Sequence, residues 1–78
     1  MSRPRTLEIV GESCPQLICR VMGMFAQQNL IPARMETTSS ALAIRLSLSV
    51  DGIDEQRFRI VAEKIRMLVN VETVTIVD

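Results

Sequence analysis

Strict alternation of apolar and polar residues from Leu42 to Val50 is the clearest pattern in the chain. Every second residue is a large aliphatic and the residues between are small or polar, which predicts a strand with one buried and one solvated face. Arg45, Ser47 and Ser49 fall on the solvated side. We expect these three residues to cover a sheet face that carries no helix.

Three other segments have the character of strands. Residues 6–10 (TLEIV) are rich in β-forming residues and are ended by Gly11. Residues 31–38 alternate less strictly between apolar and polar, and the serines at 39–40 then predict a turn. Residues 71–78 are rich in β-branched side chains, which predicts a closing strand.

The first predicted helix begins near a cysteine-proline pair. Ser13 and Gln16 have the S-x-x-Q spacing of a capping box, so each side chain is expected to bond the other residue's amide. Pro15 suits a first turn because an amide there has no partner within the helix. Asn29 is expected to end the helix in a left-handed conformation. The apolar stripe at helical spacing comprises Leu17, Ile18, Val21, Met22 and Phe25.

A second amphipathic segment covers residues 55–69. Asp54 precedes it within the turn sequence of residues 51–54 (DGID) and is a candidate N-cap. Asn70 is placed to end this helix. Most of the charged residues of the segment lie off its apolar stripe, which predicts one buried and one solvated face.

The order βαββαβ predicts an α+β, ferredoxin-like fold. Right-handed crossovers place both helices on one face of a four-stranded antiparallel sheet. We expect residues 1–5 to be a flexible leader and residues 6–78 to form the domain. The strand within residues 31–38 lies at a sheet edge, where unpaired backbone groups can accept a second copy of the chain.

Composition excludes several classes of function. A formal net charge of zero, with no basic block, argues against nucleic acid as a partner. No segment has the length of a membrane helix and no signal-peptide pattern is present, which predicts a cytoplasmic location. The sequence lacks histidine, and its acids form no recognisable constellation, so we expect neither an enzyme nor a cofactor or metal site.

The two cysteines leave other hypotheses open for the loop around Cys14. The segment GESCP resembles the G-x-x-C-P motif of TusA-like sulfur carriers, in which a thiol at a helix start is reactive. Heavy-metal-associated domains have this fold with C-x-x-C in this loop, whereas Cys19 here lies five residues after Cys14. The plainer interpretation makes Cys14 a helix cap residue and Cys19 a small apolar residue of the helix.

A different resemblance spans most of the chain. Residues 20–38 (RVMGMFAQQNLIPARMETT) and 63–78 (EKIRMLVNVETVTIVD) resemble the ACT domain. Within that class they are similar to the small regulatory subunit of acetolactate (acetohydroxyacid) synthase. The shared features are a helix ending in a Phe-Ala pair, an Asn-Ile-like entry to the second strand, and a second helix followed by spaced valines.

The resemblance implies a side-by-side homodimer, with paired second strands and packed first helices. Residues expected at that interface are Val21, Met24, Phe25, Ala33, Met35 and Thr37. It also implies an amino-acid effector, for instance a branched-chain amino acid, held between the first loop of one copy and the second-strand entry of the other. Residues expected at that site are Glu12, Ser13, Cys14, Gln16, Leu17, Asn29, Leu30 and Ile31.

Gln16 departs from the family pattern, because ligand-binding members carry glycine directly after the loop proline. A side chain there occupies room that an effector needs, which implies weak or absent feedback. The resemblance therefore implies a non-catalytic subunit that binds and activates the large catalytic subunit of acetolactate synthase. The alternatives are a stand-alone amino-acid-sensing module and, less favoured, a sulfur carrier that uses Cys14.

Overall fold

A computed structural model describes residues 4–77 and confirms the ferredoxin-like βαββαβ arrangement. No helix among these residues is long and apolar enough to cross a membrane. The elements are β1 (Arg5–Glu12), α1 (Pro15–Gln27), β2 (Arg34–Ser39), β3 (Ala43–Val50), α2 (Glu55–Arg66) and β4 (Val71–Val77).

The four strands form one antiparallel sheet in the order β2-β3-β1-β4. Leu7 and Ile9 of β1 stand opposite Leu48 and Leu46 of β3, and all four side chains are buried beneath the helices. This aliphatic layer, together with Phe25 and Phe58 from the two helices, forms the core. β1 and β3 are therefore the central strands, and β2 and β4 are the edges.

The open face of the sheet is polar, as the alternation predicted. Arg45 is exposed, whereas Ser47 and Ser49 are half-buried by their neighbours on the sheet. The Thr6 and Ser49 hydroxyls lie 2.9 Å apart across β1 and β3. Cross-strand hydroxyl pairs of this kind contribute a few tenths of a kcal/mol to about 1 kcal/mol. The face is thus stabilised without a covering layer.

The start of α1 differs from the predicted capping box. Cys14 is the N-cap residue, with an extended backbone and no side-chain cap bond. Ser13 lies one residue outside the helix, and its hydroxyl donates to the Ser40 carbonyl at 3.0 Å. The prediction that Ser13 and Gln16 close a capping box was therefore wrong. The physical reason is that the β2–β3 turn lies close to Ser13, so the Ser13 hydroxyl bonds the Ser40 carbonyl of that turn and not the Gln16 amide.

The remaining helix boundaries follow the sequence more closely. Asp54 caps α2 by accepting a hydrogen bond from the Arg57 amide at 2.8 Å. Asn29 follows α1 with φ of 56°, the left-handed conformation expected of it. α2 ends at Arg66, before the predicted end at residue 69. Met67 and Val69 consequently lie in a loop, with 83% and 87% of their surface exposed.

The strand boundaries also shift by a few residues. β1 begins at Arg5, while residues 1–3 lie outside the described part of the chain. β2 begins at Arg34, so Ile31 precedes the strand and is 87% exposed. β3 begins at Ala43, which leaves Leu42 in the preceding turn and 88% exposed. Every residue of β2 is exposed, which leaves this edge of the sheet uncovered.

Candidate functional site

The loop between β1 and α1 is the predicted effector loop. Hydrogen bonds hold it to Asn70, the residue directly before β4. The Asn70 carbonyl accepts a hydrogen bond from the Glu12 amide at 2.9 Å. Its side-chain amide donates to the Cys14 sulfur at 3.4 Å and accepts from the Arg20 guanidinium at 3.0 Å. The sequence indicated only that Asn70 ends α2. Its three contacts to the loop and to α1 depend on the strand order, which places β4 beside β1.

Gly11 permits the close approach of these two segments. A Cβ atom at this position would lie 2.4 Å from the Asn70 carbonyl oxygen and 2.8 Å from the Leu17 side chain. Neither distance is compatible with ordinary van der Waals contact. The absence of a side chain at Gly11 therefore sets the position of the effector loop against β4.

The loop retains only part of its capacity to bind an anion through backbone amides. The Glu12 amide is taken by Asn70, the Cys14 amide bonds the Glu12 carbonyl at 2.8 Å, and the Leu17 amide bonds the Cys14 carbonyl at 3.1 Å. Within the described chain, the amides of Ser13 and Gln16 are the two of this loop without a hydrogen-bond acceptor. Gln16 is exposed, and its side chain closes no capping box.

The residues predicted to bind an effector do not come together within one chain. Residues 12–17 lie at the N-terminal end of α1, whereas residues 29–31 follow its C-terminal end. A helix of 13 residues separates the two groups by about 20 Å. Leu17 is fully buried and contributes packing. A site that uses both groups needs a second copy of the chain, as the predicted dimer supplies.

Five of the six residues predicted at the dimer interface divide into two sets. Val21 and Phe25 are fully buried in the core of one chain and offer no surface to a second copy. Ala33, Met35 and Thr37 are exposed at the β2 edge. The sequence could not separate the two sets, because a core stripe and an interface stripe on one helix are both apolar.

Helix periodicity identifies which flank of α1 lies over β2. The Arg20 side chain bonds Asn70, which lies beside β4 at the opposite edge of the sheet from β2. The flank of α1 that carries Arg20 and Met24 therefore faces away from β2. At 100° per residue, Ile18 and Met22 fall on the other side of the buried stripe. Both are half-buried against the core. The interface predicted from the resemblance includes Met24 and does not include Ile18 or Met22.

An apolar band therefore runs along the uncovered side of the domain. The helix-facing side of β2 contributes Met35, which stands opposite the buried Leu48 and is still 48% exposed. Ile31 precedes the strand at the same edge. We name this the edge band: Ile18, Met22, Ile31 and Met35.

The two cysteines have different environments. Cys14 is half-buried and accepts the Asn70 bond, whereas Cys19 is exposed on α1. No group of three or more potential ligands among His, Cys, Asp and Glu is close enough to hold a metal ion within residues 4–77.

Replacing Asn70 by Ala is expected to loosen the effector loop. The change removes the bonds to Cys14 and Arg20, each contributing about 0.5–1.5 kcal/mol or less at this partly exposed site. We expect a loss of about 1 kcal/mol in urea unfolding. With Cys19→Ser introduced into both proteins, Cys14 of the Asn70→Ala variant should react several-fold faster with a thiol reagent than Cys14 of the parent.

Arg20→Ala is the matched control, since it removes one of the two bonds and leaves the contact to sulfur. It should leave the thiol reactivity near that of the parent. Equal reactivity in all three proteins would contradict a role for Asn70 in holding the loop.

Comparison with known proteins agrees with this architecture. The family model for the ACT-like domain matches residues 4–78. The ACT domain from GTP pyrophosphokinase of Chlorobium tepidum superposes with a TM-score of 0.85 at 14% identity, covering 99% of this chain and 100% of that one. An ACT domain protein from Streptococcus pneumoniae has a TM-score of 0.73 at 17% identity, with coverage of 95% and 86%.

The regulatory subunit of aspartate kinase from Thermus flavus has a TM-score of 0.70 at 7% identity, covering 97% of this chain and 52% of that one. No curated protein matches the sequence. At such identities the structural likeness establishes the fold alone.

Proposed function

Because the chain belongs to the family of ACT-like domains, we propose that it is a non-catalytic regulatory module that acts as a side-by-side homodimer. Its specific partner in this proposal is the large catalytic subunit of acetolactate synthase, in the cytoplasm. The module binds that subunit and activates it, and amino-acid feedback through the module is weak or absent.

The uncovered β2 edge is the observation that carries the proposal. Every residue of this strand is exposed, and the edge band lies beside it on the helix side. An exposed strand edge next to apolar side chains is a template for pairing with another chain. A second copy related by two-fold symmetry would both pair with the free backbone amides and carbonyls of β2 and cover the edge band.

Weak feedback follows from the state of the effector loop. A dimer brings residues 12–17 of one copy toward residues 29–31 of the other, which is the arrangement the proposed effector site requires. Three of the loop's amides are already engaged, and one of the two that remain belongs to Gln16, whose side chain is exposed. An amino-acid carboxylate therefore has few donors to bind and little room to enter.

Acetolactate synthase as the partner rests on the resemblance of residues 20–38 and 63–78 to its small subunit. The likeness to a chain described as a regulatory subunit of aspartate kinase supports a regulatory role in general. A stand-alone amino-acid sensor is the alternative. It differs in needing an effector and in not needing the catalytic subunit.

Co-elution and thermal unfolding test the two against each other. The catalytic subunit from the same organism is run on a sizing column with and without this protein. We expect a joint peak. Separately, Tm is measured with valine, leucine or isoleucine for the parent and for Gln16→Gly. A bound effector raises Tm by mass action, so we expect little change in the parent and a rise in Gln16→Gly.

A joint peak supports the subunit, whereas separate elution combined with a strong Tm rise in the parent would favour the free sensor. Gln16→Ala is the control for the glycine variant, because it removes the side chain without adding backbone freedom.

A further inference from the structure

The hydrogen-bond pattern of the β2–β3 hairpin fixes which backbone groups of β2 point away from the sheet. The Ser40 amide donates to the Ala43 carbonyl at 2.9 Å, so these two residues form a hydrogen-bonded pair. Such pairs alternate with non-bonded pairs along an antiparallel ladder. The observed register therefore gives three more hydrogen-bonded pairs: Thr38–Arg45, Glu36–Ser47 and Arg34–Ser49.

The intervening residues of β2 direct their amides and carbonyls outward. They are Met35, Thr37 and Ser39, which stand opposite Leu48, Leu46 and Ile44. Their side chains lie on the helix side of the sheet, since those three partners are buried beneath the helices. The exposed edge is thus a row of unpaired backbone groups at alternate residues.

From this pattern we propose a register for the dimer: two copies of β2 pair antiparallel with the two-fold axis at Thr37. Thr37 then bonds Thr37 of the second copy, and Met35 bonds Ser39 of the second copy on both sides of the axis. Each pair exchanges two backbone hydrogen bonds, so every outward group of the strand is used. The inference rests on the side-by-side dimer proposed above.

Neighbouring registers use fewer backbone groups or oppose like charges. An axis at Glu36 pairs Met35 with Thr37, leaves Ser39 without a partner in the opposite strand, and places two Glu36 side chains directly opposite one another. Like charges in that position are destabilising. An axis at Thr38 pairs Thr37 with Ser39 and leaves Met35 facing the hairpin turn.

The Thr37 register also suits the side chains on both faces. On the open face, Glu36 stands opposite Thr38 of the second copy, and Arg34 stands opposite Ser40. No pair of like charges meets across the axis. On the helix side, Met35 of each copy moves beneath a second α1, which extends the core across the edge band. A continuous eight-stranded sheet results, since each copy contributes four strands.

A cysteine scan along β2 reads this register directly. In a Cys14→Ser, Cys19→Ser background, single cysteines replace residues 35 to 39 in turn, and disulfide formation is followed after copper-phenanthroline oxidation. The Cα atoms of a hydrogen-bonded pair lie about 5.5 Å apart, within the range of a disulfide. With the axis at Thr37, residue 36 of one copy and residue 36 of the other are offset by two positions along the strands, and the same holds for residue 38. Their Cα atoms then lie roughly 8 Å apart, beyond the range of a disulfide.

We expect Thr37→Cys to cross-link at least ~5-fold more than Glu36→Cys or Thr38→Cys, given that disulfide range. Met35→Cys and Ser39→Cys should cross-link strongly when the two proteins are mixed, and weakly when each is oxidised alone. A maximum at residue 36 or 38 would overturn the register. A monomer at all concentrations, or a dimer that cross-links at no scanned position, would overturn the use of this edge.

The scan does not depend on the catalytic partner. A correct register with no activation of acetolactate synthase leaves the dimer in place and removes the proposed partner. A failed scan with intact activation keeps the proposed partner and removes the proposed pairing of the β2 edges.

Discussion

Gly11→Ala is expected to destabilise the domain strongly. The new Cβ would meet the Asn70 carbonyl at 2.4 Å and the Leu17 side chain at 2.8 Å. Leu17 is in the core, and the carbonyl is part of the backbone that holds the Glu12 amide. Because neither can give way cheaply, we expect a loss of about 3 kcal/mol. For a domain of this size that lowers Tm by roughly 10–20 °C.

Gly23→Ala is the matched control for this experiment. A Cβ there has no neighbouring atom within 4 Å, and the position lies inside α1, where alanine is favoured by about 0.5–1 kcal/mol. Thermal unfolding at one fixed protein concentration should move in opposite directions for the two variants. If Gly11→Ala unfolds within about 2 °C of the parent, the close approach of the effector loop to β4 is not rigid.

Thr37→Pro is expected to dissociate the dimer without unfolding the chain. Proline removes the amide at the proposed two-fold axis and places its ring between the strands. That amide points away from β3, and proline is tolerated on an edge strand when its nitrogen faces outward. Loss of the two central hydrogen bonds, with their carbonyls left unpaired, should raise the dimer dissociation constant by ~100-fold or more.

Analytical ultracentrifugation measures the dissociation constant, and far-UV circular dichroism reports whether the fold persists. Thr37→Val is the control, since it keeps the amide and should stay dimeric. Glu36→Pro is the reverse test: it removes an amide directed at β3, so its Tm should fall. A dimeric Thr37→Pro protein as tight as the parent would show that the β2 edge is not the contact.

The pattern of apolar residues was sufficient to predict the fold, because each element carries its own periodicity. The alternation in β3 and the stripe in α1 each specify one buried face, and two helices packed on one face of the sheet bury these faces together. Boundaries were less predictable. Leu42 continues the alternation of β3, yet the turn at Ser40 takes it out of the strand and exposes it.

The candidate site was harder to predict, since its contacts join residues distant in sequence. Ser13 fits a capping box locally, but its hydroxyl bonds Ser40, which lies 27 residues away. The contact between Asn70 and Cys14 spans 56 residues, and no local pattern indicates it. Likewise, Ile18 and Met22 could be assigned to the β2 flank only after Arg20 had oriented α1.

Reconstitution of acetolactate formation tests the central claim most directly. The rate of the purified catalytic subunit is measured alone, with this protein, and with the Thr37→Pro variant at the same concentration. We expect a clear rise in rate with the parent, a much smaller rise with the proline variant, and little inhibition when branched-chain amino acids are added. An unchanged rate, at concentrations where this protein is dimeric, would contradict its assignment as a regulatory subunit of this enzyme.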